Sequence, residues 1–165
     1  MARQVKVITA AEAAALIKNG DTVTTSGFVA SAIPEALDRA VEERFLATGE
    51  PRDITYVYCG SQGNKDGRGA EHFAHEGLLK RYIAGHWATV PALQKMALEN
   101  KMEAYNVSQG ALCHLFRDIA AHRPGCFTKV GLGTFIDPRN GGGKVNDVTK
   151  EDIIELVNIK GQDYL

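Results

Sequence analysis

The sequence predicts an α/β protein with an open, doubly wound, mostly parallel sheet and flanking helices. Strand and helix patterns alternate along the chain, which is typical of parallel sheets connected by helical crossovers. Residues 54–59, ITYVYC, are almost continuously apolar, as expected for a strand buried on both faces of such a sheet. The chain has 165 residues, without an internal repeat or a linker, so we interpret residues 1–165 as one domain.

The first predicted helix carries a capping signal. Thr9 and Glu12 form a T-x-x-E capping box in front of AEAAALIK, in which each side chain accepts a hydrogen bond from the backbone N–H of the other residue. Asn19-Gly20 is expected to end this helix. Residues 21–26 are rich in β-branched side chains and are therefore predicted to form the first strand.

A second, amphipathic helix is predicted to begin with Pro34 in its first turn and to end near Thr48-Gly49. Apolar side chains at helical spacing form the face that is expected to be buried. This face contains Leu37, Ala40, Val41 and Phe45. The residues expected to face water are Asp38, Arg39, Glu42 and Glu43.

The remaining elements follow the same two periodicities. Strands are predicted over residues 81–85, 102–107, 153–159 and 163–165, with a turn at 160–162. Helices are predicted over residues 91–100 and about 110–121. Their expected buried side chains are Leu93, Met96 and Ala97 in the first helix and Leu112, Leu115, Phe116 and Ile119 in the second.

Composition limits the class of partner. Hydrophobic residues make up 44% of the chain, charged residues make up 24%, and the net charge is -1. The sequence therefore lacks both the composition of a disordered chain and the cationic surface that nucleic-acid binding requires. No apolar run approaches the roughly 20 residues of a membrane-spanning helix, and residues 1–5 lack a secretory signal. We expect a cytoplasmic protein without a nucleic-acid or membrane partner.

The cysteines and histidines form no recognisable disulfide or metal pattern. Cys59, Cys113 and Cys126 are odd in number and far apart, which favours small buried thiols over a disulfide framework. His72 and His75 are one helical turn apart beside glutamates, but the H-E-x-x-H motif is absent and no third ligand has suitable spacing. We predict no metal site.

Ligands of doubly wound folds bind outside the carboxyl ends of the strands. This rule selects the turns at residues 26–28, 60–63 and 106–110, and two of these turns place a glutamine, Gln62 or Gln109, beside a glycine. Such an amide can approach a carbonyl group and donate a hydrogen bond to an oxygen that gains charge during acyl transfer. Alternatively, Gln109 caps the helix that follows it and Gln62 lies on the loop surface.

The sequence shows no obvious nucleophile. Ser26 and Ser61 lie in suitable turns, but neither is surrounded by a G-x-S-x-G elbow. Cys113 falls within a helix pattern that favours packing. The acidic residues lie mostly on exposed helix faces or in loops, and none is an obvious reacting carboxylate.

Five longer segments are informative because of their order along the chain. They are SGFVASAIPEAL, YVYCGSQG, AGHW, AYNVSQGALCHLFR and HRPGCFTKVGLGTFIDPRNGGGKVN. This series, over residues 5–165, resembles the amino-terminal portion of family I coenzyme A transferases. The likeness is strongest to bacterial single-chain enzymes that act on acetate, propionate or acetoacetate.

The resemblance implies a ping-pong transfer of coenzyme A, with an acyl-CoA and a short-chain carboxylic acid as the small-molecule partners. In this chemistry a glutamate carboxylate attacks the thioester, and a mixed anhydride leads to a glutamyl-CoA thioester that the second acid resolves. The coenzyme A thioester is a substrate, and neither a permanently bound cofactor nor a metal is implied. We also expect a homo-oligomer.

The resemblance assigns roles to individual positions. Gln109 matches the glutamine of the family's Q-G-x-L motif, whose amide lies near the thioester carbonyl. Residues 29–32 depart from the family, because VASA replaces a stretch that often contains further glycine. The implied substrate-binding residues are Gly27, Phe28, Gly60, Gln62 and Gly110, and Gln109 is the implied catalytic donor.

The family's nucleophilic glutamate lies in an E-x-G motif of the carboxyl-terminal half, and this sequence contains no E-x-G. We therefore expect an incomplete amino-terminal domain that lacks the catalytic half, is inactive alone and self-associates through uncovered apolar surface. Two alternatives share the architecture. They are a sugar-phosphate isomerase-like enzyme and a non-catalytic effector-binding or assembly domain.

Overall fold

The computed structural model describes residues 5–165. The α-helices are α1 (Ala10–Ala14), α2 (Glu35–Thr48), α3 (Pro91–Leu98) and α4 (Gln109–Ala120), and two 3-10 helices span Gly69–Phe73 and Pro138–Asn140. The strands are β1 (Thr22–Val23), β2 (Ile54–Tyr58), β3 (Leu79–Ala84), β4 (Glu103–Asn106), β5 (Val157–Ile159) and β6 (Gln162–Tyr164).

The first four strands form one parallel sheet in the order β1-β2-β3-β4, which confirms the predicted α/β fold class. β5 and β6 form a separate antiparallel hairpin. Its turn residues, Lys160 and Gly161, have φ angles of 50° and 82°, as two-residue hairpin turns require. The predicted pair of terminal strands is therefore confirmed, but the first begins at Val157 and not at residue 153.

Helices cover both faces of the parallel sheet. On the first face, Tyr56 and Tyr82 are fully buried in a core shared with α2, α3 and the 3-10 helix Gly69–Phe73. On the second face, Val57 and Ile83 pack in a smaller cluster with Leu112 of α4. Burial along β2 consequently alternates between buried and half-buried residues, so the prediction that this strand is buried on both faces is correct only for the first face.

An apolar groove of about 770 Å³ explains the incomplete burial of the second face. It lies between the sheet, α4 and the segment that leads into the β5-β6 hairpin. Leu112 is the one buried residue of α4, whereas the other predicted core residues, Leu115, Phe116 and Ile119, lie along the groove and keep part of their surface exposed. Within residues 5–165, no helix is both long enough and apolar enough to cross a bilayer.

The capping box of α1 forms as predicted, but the helix ends earlier than expected. Thr9 N donates to Glu12 Oε2 at 2.8 Å, and Glu12 N donates to Thr9 Oγ1 at 3.2 Å. The helix stops at Ala14. Arg44 of α2 donates 2.7 Å hydrogen bonds to the carbonyl oxygens of Ala14 and Ile17, which satisfies acceptors that a longer helix would have used internally.

The first strand is also shorter than predicted. β1 spans Thr22–Val23 rather than residues 21–26. Thr25 and Ser26 instead form hydrogen bonds with the side chain of Gln62. A side-chain amide therefore replaces the strand ladder over the last part of this segment.

Two side-chain predictions for α2 are wrong. Asp38 was expected to face water but is only 1% exposed, on a helix that packs against the first 3-10 helix. Leu37 was expected in the core but is 44% exposed, whereas Val41 is buried as predicted. The cysteine prediction also needs correction, because Cys113 is exposed and the other two cysteines are half-buried.

Two buried tyrosines provide a matched test of the first core. Within the described residues the Tyr82 hydroxyl has no hydrogen-bond partner, whereas the Tyr56 hydroxyl donates to Gln62 Oε1 at 2.7 Å. We expect Tyr82→Phe to leave the free energy of unfolding unchanged or to raise it by about 1 kcal/mol, and Tyr56→Phe to lower it by about 1–3 kcal/mol. Urea unfolding followed by circular dichroism measures both changes. A larger loss for Tyr82→Phe than for Tyr56→Phe would contradict this assignment.

Candidate functional site

Three turns meet at the carboxyl edge of the sheet, with Gly60 between them. A Cβ atom at Gly60 would lie 3.3 Å from Cε2 of Phe28 and 3.5 Å from both Cδ and Nε2 of Gln109. The Phe28 ring and the Gln109 amide thus reach the same glycine from two different turns. The structure brings together three residues that were selected from the sequence.

Backbone hydrogen bonds hold the turn that carries Phe28. Phe28 and Ser31 exchange two N–H···O bonds of 2.9 Å. Val29 N donates to Ser61 O, and Gly63 N donates to Val29 O, each at 3.0 Å. The Phe28 side chain nevertheless remains 57% exposed, so its ring is available as the wall of a pocket.

The same turn follows a backbone path that glycine adopts easily. Gly27 has a φ of 112°, and a Cβ there would lie 2.8 Å from Ala32 O and 2.9 Å from Ser31 O. Val29 and Ala32 also have positive φ angles, 53° and 54°, which are strained for a β-branched residue and uncommon for alanine. Non-glycine residues therefore adopt backbone angles in this turn that glycine accommodates more easily.

Gln62 lies fully buried beneath this turn. Its Nε2 donates to Ser26 O, and its Oε1 accepts hydrogen bonds from Thr25 Oγ1 at 2.6 Å and from the Tyr56 hydroxyl at 2.7 Å. The alternative that Gln62 lies on the loop surface is wrong. Because its amide is engaged by protein groups, Gln62 holds the turn in place and has no free amide group directed at a ligand.

Gln109 is the first residue of α4 and its side chain is exposed. No side-chain hydrogen bond caps this helix, so the alternative capping role of Gln109 is wrong. The first N–H of α4 that bonds to a preceding carbonyl is that of Leu112, which donates to Ser108 O at 3.0 Å. The free N–H groups before it, together with the helix dipole, create a positive potential around the Gln109 amide.

Gly85 allows α4 to begin close to the sheet, and it is not among the site residues predicted from the sequence. A Cβ at Gly85 would overlap the carbonyl oxygen of Cys59 and would lie 2.8 Å from both Cα and Cβ of Gln109. Its position directly after β3 is the only sequence signal that could have identified it. Gly110 differs, because no heavy atom lies within 4 Å of a Cβ built there.

The two histidines that raised the metal question contact glutamates of α2 instead. His72 pairs with Glu35 and Glu42, and His75 pairs with Glu42. In the part of the chain that the structure describes, no group of three or more His, Cys, Asp or Glu side chains has an arrangement that could hold a metal ion.

Comparison with known sequences identifies a family. The family model for coenzyme A transferase matches residues 7–165. Caffeate CoA-transferase of Acetobacterium woodii is 41% identical over 160 residues, which are 97% of this chain and 30% of that protein. Acetate CoA-transferase YdiF of Escherichia coli K12 is 39% identical over 164 residues, which are 98% of this chain and 31% of that protein.

Solved structures agree with the sequence comparison. The apoenzyme of acyl-CoA transferase YdiF from Escherichia coli O157:H7 superimposes with a TM-score of 0.89 and 37% identity, over 97% of this chain and 31% of YdiF. A thioester complex of the same enzyme with CoA gives a TM-score of 0.88. The chain thus spans about 31% of the length of the relatives that it matches.

Two glycine-to-alanine substitutions test whether α4 depends on its close contact with Gly85. Gly85→Ala would force α4 away from the sheet, and we expect it to lower the free energy of unfolding by about 1–3 kcal/mol. Gly110→Ala adds a methyl group to open space in a helix, so it should change the free energy by less than about 1 kcal/mol, in the stabilising direction. Urea unfolding compares the two variants. Equal losses would show that α4 does not depend on the glycine at position 85.

Proposed function

This chain belongs to the coenzyme A transferase family, and we propose that it supplies one side of an active site that moves coenzyme A from an acyl-CoA thioester to a short-chain carboxylic acid. The acyl-CoA and the acid are the small-molecule partners, and the thioester is a substrate rather than a resident cofactor. Relatives named for acetate and caffeate suggest that the acceptor is an organic carboxylate.

The convergence of Phe28, Gly60 and Gln109 carries this proposal. The exposed ring of Phe28 forms an apolar wall for the acyl group, with the turn at Gly27 allowing its position. Because Gly60 has no side chain, an acyl carbon can approach its backbone. A methyl side chain at this position would contact both the Phe28 ring and the Gln109 amide. The open space beside Gly110 leaves room for the thioester to reach the Gln109 amide.

Gln109 has the chemistry that acyl transfer needs at this point. Its Nε2 group donates a hydrogen bond to the thioester oxygen, and that bond strengthens as the oxygen gains negative charge in the tetrahedral transition state. The positive end of α4 favours the same charge. No proton is transferred, so the donor works without a change in its own protonation state.

The nucleophile in this proposal is a glutamate from a segment outside these 165 residues. Its carboxylate attacks the thioester carbonyl and expels the CoA thiolate, which leaves a mixed anhydride. The thiolate then attacks the glutamyl carbonyl, and the first acid leaves as a carboxylate. The second acid reverses these steps with the glutamyl-CoA thioester.

We also propose that the complete protein is a homo-oligomer. Neither the isomerase-like nor the non-catalytic alternative is favoured, since the family match is to transferases.

Substitution of Gln109 tests the proposed donor. In the complete protein that carries this sequence, Gln109→Ala should lower kcat/KM for CoA exchange between acetoacetyl-CoA and acetate by about 100-fold to 1000-fold. Stability should change little, because the side chain is exposed and does not cap its helix. Gln162→Ala, which removes an exposed glutamine of β6, is the matched control. A loss below about threefold for Gln109→Ala would exclude an oxyanion role.

The isolated chain tests the location of the nucleophile. Residues 1–165 alone, with their mass verified, should show no turnover of acetoacetyl-CoA with acetate, because they contain no E-x-G glutamate. The appearance of labelled acetyl-CoA from carbon-labelled acetate measures this turnover. Turnover by the isolated chain would contradict the proposed division of the active site, while leaving the family assignment unaffected.

A further inference from the structure

A second cluster of ionisable groups lies between α2 and the first 3-10 helix. Nδ1 of His72 is 2.5 Å from Oε2 of Glu42, and Nε2 of His72 is 3.0 Å from Oε1 of Glu35. The other oxygen of Glu42 is 2.6 Å from Nε2 of His75. Asp38, one helical turn after Glu35, is 1% exposed. We call these five residues the acid–histidine cluster.

Both ring nitrogens of His72 face carboxylate oxygens, which only accept hydrogen bonds when ionised. The imidazolium form satisfies both contacts at once. Burial lowers the pKa of His72, but the hydrogen bonds to Glu35 and Glu42 outweigh burial and raise this pKa overall. Burial likewise raises the pKa values of the two glutamates, and their histidine contacts outweigh it and lower both values.

Asp38 has no such compensation. Within residues 5–165, both of its carboxylate oxygens are buried without a hydrogen-bond partner. Burial raises the pKa of Asp38 to about 7, although the charge of His72 partly opposes this shift and Glu35 adds to it. The carboxyl group is neutral in the fold at acidic pH and becomes an uncompensated buried charge above neutrality. Ionisable groups on other packed segments that face the cluster are Tyr56 of β2 and Arg68 of the loop before the 3-10 helix.

The cluster is connected to the candidate site through the backbone. Oε2 of Glu35 accepts a hydrogen bond from Gly69 N at 3.1 Å. The next amide, Ala70 N, donates to the carbonyl oxygen of Gln62 at 2.9 Å. Gln62 in turn positions the turn that carries Phe28. The cluster therefore holds the segment that supports the pocket.

We propose that the acid–histidine cluster is a proton-sensitive clamp, which holds residues 60–73 against α2 at acidic pH and loosens as the pH rises through neutrality. The hydrogen bonds of the clamp are formed by side chains of the protein itself, so the clamp does not require a bound substrate. It would make the position of the pocket turn, and not only the chemistry at the pocket, sensitive to pH.

The direction of the pH dependence follows from each group. The pKa of Asp38 is ordinarily 3.8 and is about 7 in the closed clamp. Between pH 3.8 and about 7, the carboxyl group is therefore protonated when the clamp is closed and ionised when it is open, so the closed state loses stability as the pH rises. The ion pairs of His72 contribute fully to the stability of the closed clamp below pH 6.5. This contribution is lost as the pH rises through the raised pKa of His72. Glu35 and Glu42 lose their contribution when the pH falls below 4.5. The clamp is therefore strongest at or slightly below about pH 4.5 and weakens as the pH rises from there.

Hydrogen–deuterium exchange of the complete protein measures the clamp directly, because opening exposes the N–H groups of Gly69 and Ala70. After correction for the intrinsic exchange rate, protection of residues 67–74 should fall about tenfold per pH unit between about pH 5 and 7. The fall should continue at higher pH while His72 loses its proton. Residues of β4, Glu103–Asn106, which pair with β3 and not with the clamped segment, serve as the internal reference and should lack this dependence.

Variants assign the two parts of the fall to single groups. Asp38→Asn should remove the fall in protection below about pH 7. His72→Gln should remove the fall above about pH 6.5, and it should also lower the protection at about pH 5. Glu43→Gln changes an exposed glutamate of the same helix and should match the wild type. If a variant keeps the pH dependence of the wild type, the role proposed for the substituted residue is wrong. Each variant tests its own residue, so one of them still gives a result when the other fails to fold. A wild-type profile without any fall overturns the clamp as a whole.

Discussion

The buried amide of Gln62 is the interaction on which the candidate site depends. It binds one backbone carbonyl and two hydroxyl groups at once, and a buried amide with so many partners has little freedom to move. The first strand ends where these bonds begin, and the following turn presents Phe28 at the carboxyl edge of the sheet. The exposed aromatic ring is thus positioned from below by a residue that does not itself reach the surface.

Close backbone approach is the second constraint. Gly60 and Gly85 lie at the ends of neighbouring strands, and α4 begins against both of them. Parallel strands direct their carboxyl ends to the same edge, but a helix reaches that edge closely only where side chains are absent. The free Gln109 amide and the unsatisfied N–H groups of the first turn then share one small volume, where they reinforce each other electrostatically.

Charge is distributed unequally around this site. The candidate site contains an aromatic ring, glycines and a neutral amide, whereas the histidine–glutamate pairs lie between α2 and the first 3-10 helix. A neutral donor keeps its hydrogen-bonding state at any physiological pH, whereas histidines and buried carboxylates do not. In the proposed clamp, proton sensitivity therefore lies in the segment that supports the candidate site and not in the residues that form the site.

Periodicity and turn residues were enough to predict the alternating elements, the core face of α3 and the terminal hairpin, because these properties depend on local spacing along the chain. The family could be inferred from the order of several motifs. Spacing did not reveal that Asp38 is buried, that Gln62 lies beneath its turn or that Gly85 admits α4. Each of these depends on a neighbour far away in sequence, so burial and close approach were decided only when the sheet brought distant segments together.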